Sequence, residues 1–513
     1  MTTPVTVHVG PVTPADVVAV ARNFAPVTLA PTAVRAIADS RAIIEALAED
    51  PDPHYGISTG FGALATTHIP RERRAALQTS LIRSHAAGTG TPVEPDVVRA
   101  MMLLRLSTLA TGRTGIRPAT VELLVGLLNA GITPVVPEYG SLGCSGDLAP
   151  LSAVALGLIG EGEVDVVTGN TCVRSTAAAA LADAGLTPVV LAEKEGLALV
   201  NGTDGMLGML CLALHDLHYL WDAADLAAAM SIEALLGTDQ VFLPELQALR
   251  PQLGQADSAA AIAAMLAHSP IVSSHAGPGD NRVQDAYSMR CTPAVHGTAR
   301  DTTAHASAVA GRELASAIDN PVVLADGRVL SNGNFHGAPV AAVLDFLAIS
   351  VADVASISER RTDRMLDPAR SRGLPPFLAY EVGVDSGHMI AQYTQAGMVA
   401  ELKRLAVPAS VDSIPSSAMQ EDHVSLGWHA ARKLRRGVDA LRRVLAVEIL
   451  TAARALDFRA PLEPGPITGA AVATVRERVP GPGPDRHLAV EIDAVVSLLS
   501  DRRLTASSSA VGS

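Results

Sequence analysis

The chain has 513 residues, 48% of them hydrophobic, 18% charged and 3% aromatic, with a net charge of −13. That length calls for more than one hydrophobic core or one very elongated bundle, and the composition excludes a disordered chain. The acidic balance, with only short basic patches such as Arg71 to Arg74 and Arg432 to Arg436, argues against a nucleic-acid partner.

Few aromatics beside much Ala and Leu favour closely packed helices over sheets. Apolar spacing predicts helices over 14–22 and 31–48, the second stopped by Pro51, Asp52 and Pro53. Tyr55–Gly62 then holds three glycines in eight residues, the composition of a loop with freedom to wrap a ligand. Helical patterns resume over 72–86, 95–110 and 118–130. A second glycine-rich turn spans Gly140 to Gly146, and Asp147 to Pro150 reads as the start of another helix. From about residue 201, long Ala- and Leu-rich stretches predict bundle helices over 205–235, 300–318, 338–362, 387–406 and 422–456. A Ser-, Gly- and Pro-rich loop, 268–282, interrupts them, and the tail Thr505–Ser513 is expected to fray. The expected organisation is an N-terminal domain over 1–200 and a long-helix bundle with a C-terminal helical part over 201–513.

The apolar stretch Ala341–Ala355 carries Asp345 and Asp353 and falls short of the roughly 20 residues of a bilayer span, so it reads as a buried bundle helix and no membrane is expected. The N-terminus has no basic region followed by an apolar run, so no signal peptide is expected. Cys144, Cys172, Cys211 and Cys291 show no CxxC spacing, which fits a reducing, cytoplasmic setting without disulfides or zinc. His215 with His218, and His423 with His429, lack a recognisable third ligand, so no metal is expected.

Gly140–Pro150 carries the chemistry. A nucleophile elbow needs G-x-S-x-G, but Asp147 stands where the last Gly belongs. A phosphate loop needs a Lys that is absent here. Cys144, Ser145 and Gly146 can instead cyclise. The Gly146 nitrogen attacks the Cys144 carbonyl with loss of water, Gly lacking the Cβ that would block a bent approach. Loss of a second water from Ser145 leaves an exocyclic methylene, a strong electrophile.

In this stretch the chain resembles the histidine and aromatic amino acid ammonia-lyase family, whose members carry 4-methylidene-imidazol-5-one (MIO). Most relatives have Ala-Ser-Gly, and Cys144-Ser145-Gly146 stands as a variant. The resemblance covers nearly the whole chain. Tyr55–Gly62 looks like the inner active-site loop and Ser84–Gly88 like the substrate-selectivity segment. Asn201–Thr203, Val283–Arg290, Asp319–Pro321, Gly333–His336 and Ser413–His423 follow in family order. The resemblance implies a mainly α fold, a long-helix bundle of the fumarase/aspartase-like superfamily with an N-terminal MIO-bearing domain. It also implies a homotetramer whose active sites are shared between subunits. Ser416–Met419 is similar to the flexible loop of the fumarase and argininosuccinate-lyase superfamily, without that loop's Pro and Lys.

The reaction removes a weakly acidic β-hydrogen and expels an amine. By resemblance, Tyr55 is the candidate base, on a loop that acts as a lid. Arg290 offers a bidentate fork to the substrate carboxylate, with Asn201 and Asn320 as polar partners. Tyr287 is a second catalytic tyrosine, Gln284 sits three residues before it, and Phe335 packs on substrate or MIO. His85 and Glu421 stand at the positions flanking the substrate ring. Phenylalanine-specific relatives tend to have an apolar residue and Gln there, and tyrosine-specific ones His followed by Leu. Here His85 precedes Ala86 and position 421 is Glu, which resembles the histidine-specific members. The expected reaction is elimination of ammonia from L-histidine to give trans-urocanate, the first step of histidine degradation. A tyrosine or phenylalanine lyase, or an aminomutase, is the alternative. Ala153 and Ala286 depart from the family pattern, where many relatives have His and Pro, and put fine tuning of rate in doubt.

Overall fold

Proline opens helix after helix in this chain. Pro14, Pro31, Pro95, Pro118 and Pro466 each occupy a first-turn position, where the missing N–H costs nothing and φ is already helical. Pro14 follows a capping box, in which the Thr13 hydroxyl accepts from the Asp16 amide while the Asp16 carboxylate accepts from the Thr13 amide. A computed structural model describes residues 3–169, 171–277 and 283–504. The tail Thr505–Ser513 and the stretch 278–282 of the expected loop lie outside the described residues. The fold is mainly α, and the small sheets have two or three strands each.

The chain divides into two compact units that interleave in sequence. The first comprises Met1–His215, Ser307–Asp345 and Pro408–Arg432, and the second Asp216–Ala306, Phe346–Val407 and Lys433–Ser513. They differ from a division at 200/201 because two later segments return to the first unit.

In the first unit, the helix Pro95–Ala110 is the central strut, with every residue from Val97 to Ala110 buried. Its two arginines are paid for by carbonyls: Arg99 donates to Val20 and Leu128, and Arg105 to Asn201 and Ile318. Buried polar groups are tolerated when their hydrogens find acceptors in this way. A three-stranded antiparallel sheet joins Ile132–Pro134, Glu163–Thr168 and Thr171–Thr176. The loop Tyr55–Gly62 turns back on itself, with Gly60 N donating to Thr67 O and Ile69 N to Ser58 O.

The second unit is held by a buried charge cluster. Glu448 accepts from Arg361 at 2.5 and 2.9 Å and from the hydroxyls of Ser231 and Ser358. His296 Nδ1 lies 2.7 Å from Asp225, which also accepts from Ser258 and Arg300.

The long helices are Asp204–Ala234, Thr292–Leu314, Ala338–Leu366, Met389–Leu405 and Gly427–Asp457. The helix expected over 300–318 begins eight residues earlier, because Pro293 sits in its first turn rather than breaking it. The helix expected from 422 begins at Gly427, since the Leu426 amide is drawn away to Leu142 O. Ala338–Leu366 is long and apolar enough to cross a membrane by length and composition. It is nonetheless 67% buried within its apolar window, as expected of a core helix.

Candidate active site

A turn that no side chain except hydrogen could occupy sits at the head of the helix Leu148–Leu158. Gly146 has φ of +79°, and a Cβ there would lie 2.1 Å from the Gly202 carbonyl oxygen. Gly143, at φ +69°, would place a Cβ 2.2 Å from Ser425 Oγ. The loop between them is tied down on both sides. Gly143 O accepts from Ser425 Oγ at 3.0 Å, Leu142 O accepts from Leu426 N at 2.9 Å, and Asp147 N donates to Gly202 O at 2.7 Å.

Asp147 does more than start its own helix. It makes no side-chain cap there. Its Oδ2 accepts from the Gly205 and Met206 amides, in the first turn of the helix Asp204–Ala234, and its Oδ1 accepts from Ser141. Burial pushes its carboxyl up to about 7 against these donors. Ser141 Oγ in turn accepts from Gly143 N at 3.2 Å. Residues 141–147 are thus tied into one short loop, in which the Gly146 nitrogen and the Cys144 carbonyl are two residues apart and neither Gly143 nor Gly146 can carry a Cβ without collision. Such a cradle fits the ring closure that an MIO group requires. Cys144 is half-buried, and burial raises its thiol above the usual range.

Ser145 faces a cavity of about 1030 Å³. Tyr55, His85, Asn201, Asn320, Phe335 and Glu421 line the same cavity, so seven expected site residues, each from a different stretch of the sequence, meet there. All lie in the first unit. The Tyr55 hydroxyl oxygen accepts from the Gly62 amide at 3.1 Å, which ties the tyrosine to its own loop. His85 ends the helix Arg74–His85, and burial holds its imidazole below the usual range, hence neutral near pH 7. Glu421 Oε2 is buried with no hydrogen-bond partner among the described residues. A buried carboxylate oxygen left without a donor is expected to receive one from a ligand.

The two asparagines are oriented by their neighbours. Asn201 Nδ2 donates to Asn320 O at 3.0 Å. Asn320 Oδ1 accepts from Ser331 Oγ and Asn332 N, each at 3.0 Å. This leaves Asn201 Oδ1 and Asn320 Nδ2 as the amide ends without these partners. Beneath them, Lys194 Nζ meets Asp319 Oδ2 at 2.5 Å with both side chains fully buried. Arg105 lies 3.5 Å from Asp204 and holds the Asn201 carbonyl.

Of the five other expected residues, Cys144 and Gly146 adjoin Ser145 in the loop without lining the cavity, and three lie apart from it. Gln284, Tyr287 and Arg290 belong to the second unit. Tyr287 is 70% exposed, and Arg290 stacks its guanidinium 4.6 Å above the Tyr287 ring while donating to Asp285 O. Sequence reading also missed several contributors. Ser84 and Gln420, inside the matched segments Ser84–Gly88 and Ser413–His423, and Asn332, next to Gly333–His336, line the cavity although no role was read for them. Lys194, Asp319 and Arg105 act from behind the wall; Asp319 belongs to the matched segment Asp319–Pro321, while Lys194 and Arg105 carried no signal beyond their charge. Among the described residues, no group of three or more His, Cys, Asp or Glu could hold a metal ion.

The family model for aromatic amino acid lyases matches residues 12–477. A protein of Streptomyces coelicolor named histidine ammonia-lyase is 61% identical over 501 residues, 98% of this chain and 97% of its own. The crystal structure of histidine ammonia-lyase from Trypanosoma cruzi superposes with a TM-score of 0.90 at 38% identity, covering 98% of this chain and 94% of that one. Tyrosine aminomutase from Streptomyces globisporus superposes with a TM-score of 0.91 at 38% identity, covering 98% of each chain.

Proposed function

The chain belongs to the aromatic amino acid lyase family, and we propose that it eliminates ammonia from L-histidine to give trans-urocanate in the cavity headed by Ser145. The observation that carries this reading is the meeting of Ser145, Tyr55, His85 and Glu421 in one cavity. The high identity with relatives named histidine ammonia-lyase supports the same substrate.

We propose further that Cys144, Ser145 and Gly146 form the MIO group by themselves, without another protein or a metal. The Gly146 nitrogen bonds to the Cys144 carbonyl carbon as water leaves, and Ser145 loses its hydroxyl and an α-hydrogen as a second water. When formed, the group supplies an electrophilic carbon that makes the substrate amine depart more readily. The residues of the chain do the rest. Tyr55 takes the β-hydrogen, and its glycine-rich loop keeps water out. His85 and Glu421 hold the imidazole, and Phe335 packs on the apolar side of the substrate. Asn201 and Asn320 hold the amino-acid end through the amide groups their neighbours leave open.

Arg290, Tyr287 and Gln284 complete the site from another copy of the chain, Arg290 as the fork for the substrate carboxylate. The support is that Tyr287 and Gln284 are exposed and lie in the second unit, while the family resemblance implies a homotetramer with shared sites. A cytoplasmic setting is supported by four cysteines that are all free thiols.

The test is an ultraviolet assay with L-histidine, L-tyrosine and L-phenylalanine offered separately, beside a Ser145→Ala control and an intact-mass measurement. Urocanate from histidine alone, with a mass short by two waters that Ser145→Ala restores by one or both, is the expected result. Product from tyrosine or phenylalanine only, or a β-amino acid, would overturn the substrate or reaction assignment.

A further inference from the structure

The ring end of the cavity has a hydrogen-bond polarity that is set two atoms away from any ligand. Ser84 and His85 close the helix Arg74–His85. Ser84 Oγ donates to Leu81 O at 3.1 Å, and the same Oγ lies 3.1 Å from His85 Nδ1. A serine hydroxyl has one hydrogen and spends it on the carbonyl. Toward the histidine it therefore offers lone pairs, and the hydrogen in that contact comes from Nδ1. A neutral imidazole with hydrogen on Nδ1 has a bare lone pair on Nε2. Among the described residues Nε2 has no hydrogen-bond partner, and His85 lines the cavity.

We infer that Ser84 is a positioning residue for specificity: it locks His85 in the tautomer with hydrogen on Nδ1, so that Nε2 meets the substrate ring solely as an acceptor. The inference rests on the reading, made above, that His85 contacts the ring. It predicts which rings are taken. A side chain with polar ring hydrogens, such as the two N–H groups of a protonated imidazole, satisfies Nε2 and the Glu421 carboxylate together. A ring whose nitrogen carries only a lone pair sets two acceptors against each other. The neighbouring carboxylate of Glu421 adds a further acceptor and cannot relieve that conflict.

The experiment compares kcat/KM for L-histidine and for 3-(4-thiazolyl)-L-alanine, which keeps a ring nitrogen lone pair but has no ring N–H. Wild type, Ser84→Ala, Ser84→Thr and His85→Leu are measured together. Wild type is expected to prefer histidine by roughly 100-fold or more, as a site built around a substrate N–H rejects an analogue lacking it. Ser84→Ala frees His85 to carry hydrogen on Nε2 and donate, so the preference shrinks by roughly ten-fold, about one hydrogen bond's worth. Ser84→Thr, which keeps the hydroxyl, retains the wild-type preference. A merely structural serine would lower both substrates together and leave the ratio unmoved. If His85→Leu abolishes the preference but Ser84→Ala does not reduce it, the tautomer lock is wrong while the ring contact stands. If His85→Leu leaves the preference intact, His85 does not meet the ring and both readings fall.

Discussion

Replacing Lys194 with Met tests whether the floor beneath the two asparagines is held by charge or by shape. Lys194 Nζ and Asp319 Oδ2 are 2.5 Å apart and neither side chain reaches solvent. Burial lowers the lysine below its ordinary value and raises the aspartate above its own, in each case against the pull of the partner. Desolvation thus outweighs attraction on both sides, the condition under which a buried pair is worth little as a pair and much to either member left alone. Lys194→Met strands Asp319 and is expected to cost about 3–5 kcal/mol. For a chain of this length an unfolding entropy near 2.1 cal/mol/K per residue converts that into a fall of roughly 3–5 °C in melting temperature. Asp319→Asn in the same chain removes the stranded charge while its side-chain oxygen can still accept from the Asn320 amide, which now reaches Asp319 Oδ1 at 2.7 Å. The double variant is expected to recover most of the loss, to within about 1–2 kcal/mol of wild type. Urea denaturation of the four proteins in one buffer gives the coupling directly. A double variant as unstable as the sum of the two singles would refute the argument, because it would mean that each residue acts through contacts other than the other's charge.

Gly146→Ala places a methyl 2.1 Å from the Gly202 oxygen at a left-handed backbone position, so the purified variant is expected to keep the mass of both waters and to be inactive. Asp147 holds its proton to about pH 7 when folded, against an ordinary value of 3.8. The stability it contributes is therefore complete below about pH 4 and is lost as the pH rises to about 7, by up to roughly 4 kcal/mol. Melting temperatures of wild type and Asp147→Asn between pH 4 and 8 should diverge over that window and run parallel above it. Glu421→Gln removes the acceptor charge beside the ring and is expected to lower kcat/KM for L-histidine by roughly ten-fold or more, while narrowing the preference over L-phenylalanine. Ser145→Ala and Tyr287→Phe chains, each inactive alone, should regain activity when refolded or co-expressed together, because some shared sites then receive neither substitution; a mixture as inactive as its parts would place both residues in one chain's site.

The parts of this protein legible from sequence are those whose chemistry is local. Gly146 was legible because cyclisation needs a residue without a Cβ, and the triad Cys144-Ser145-Gly146 that it completes is contiguous. Helix starts were legible where proline and a capping residue stand together, as at Thr13 and Pro14. What stayed hidden was set by partners far along the chain. Arg105 reaches across 96 residues to Asn201 and 213 to Ile318, and Lys194 across 125 to Asp319. In sequence these are ordinary charges, for which exposure is the default expectation. Asp147 was visible as an acid at a helix start, but the helix it caps begins 57 residues later, at Asp204.

The same distinction explains why the expected site divides. Of the seven residues that converge, Tyr55, His85, Asn201 and Asn320 are held by bonds within the first unit: Tyr55 by Gly62, His85 by Ser84, Asn201 by Arg105 and Asn320, and Asn320 by Ser331 and Asn332. Gln284, Tyr287 and Arg290 lie within eight residues of one another, and the bonds that hold Arg290 stay inside that short segment. An exposed tyrosine stacked beneath an arginine offers an aromatic face to something apolar and a cation to something anionic. The shared site proposed above would supply both, a substrate carboxylate for Arg290 and an aromatic side chain for Tyr287. The mixing of Ser145→Ala with Tyr287→Phe is therefore the measurement on which the division of the site stands. Recovery of activity would make the exposed segment a working part of a neighbour's cavity, and no recovery would require a rearrangement within one chain that brings Tyr287 to Ser145.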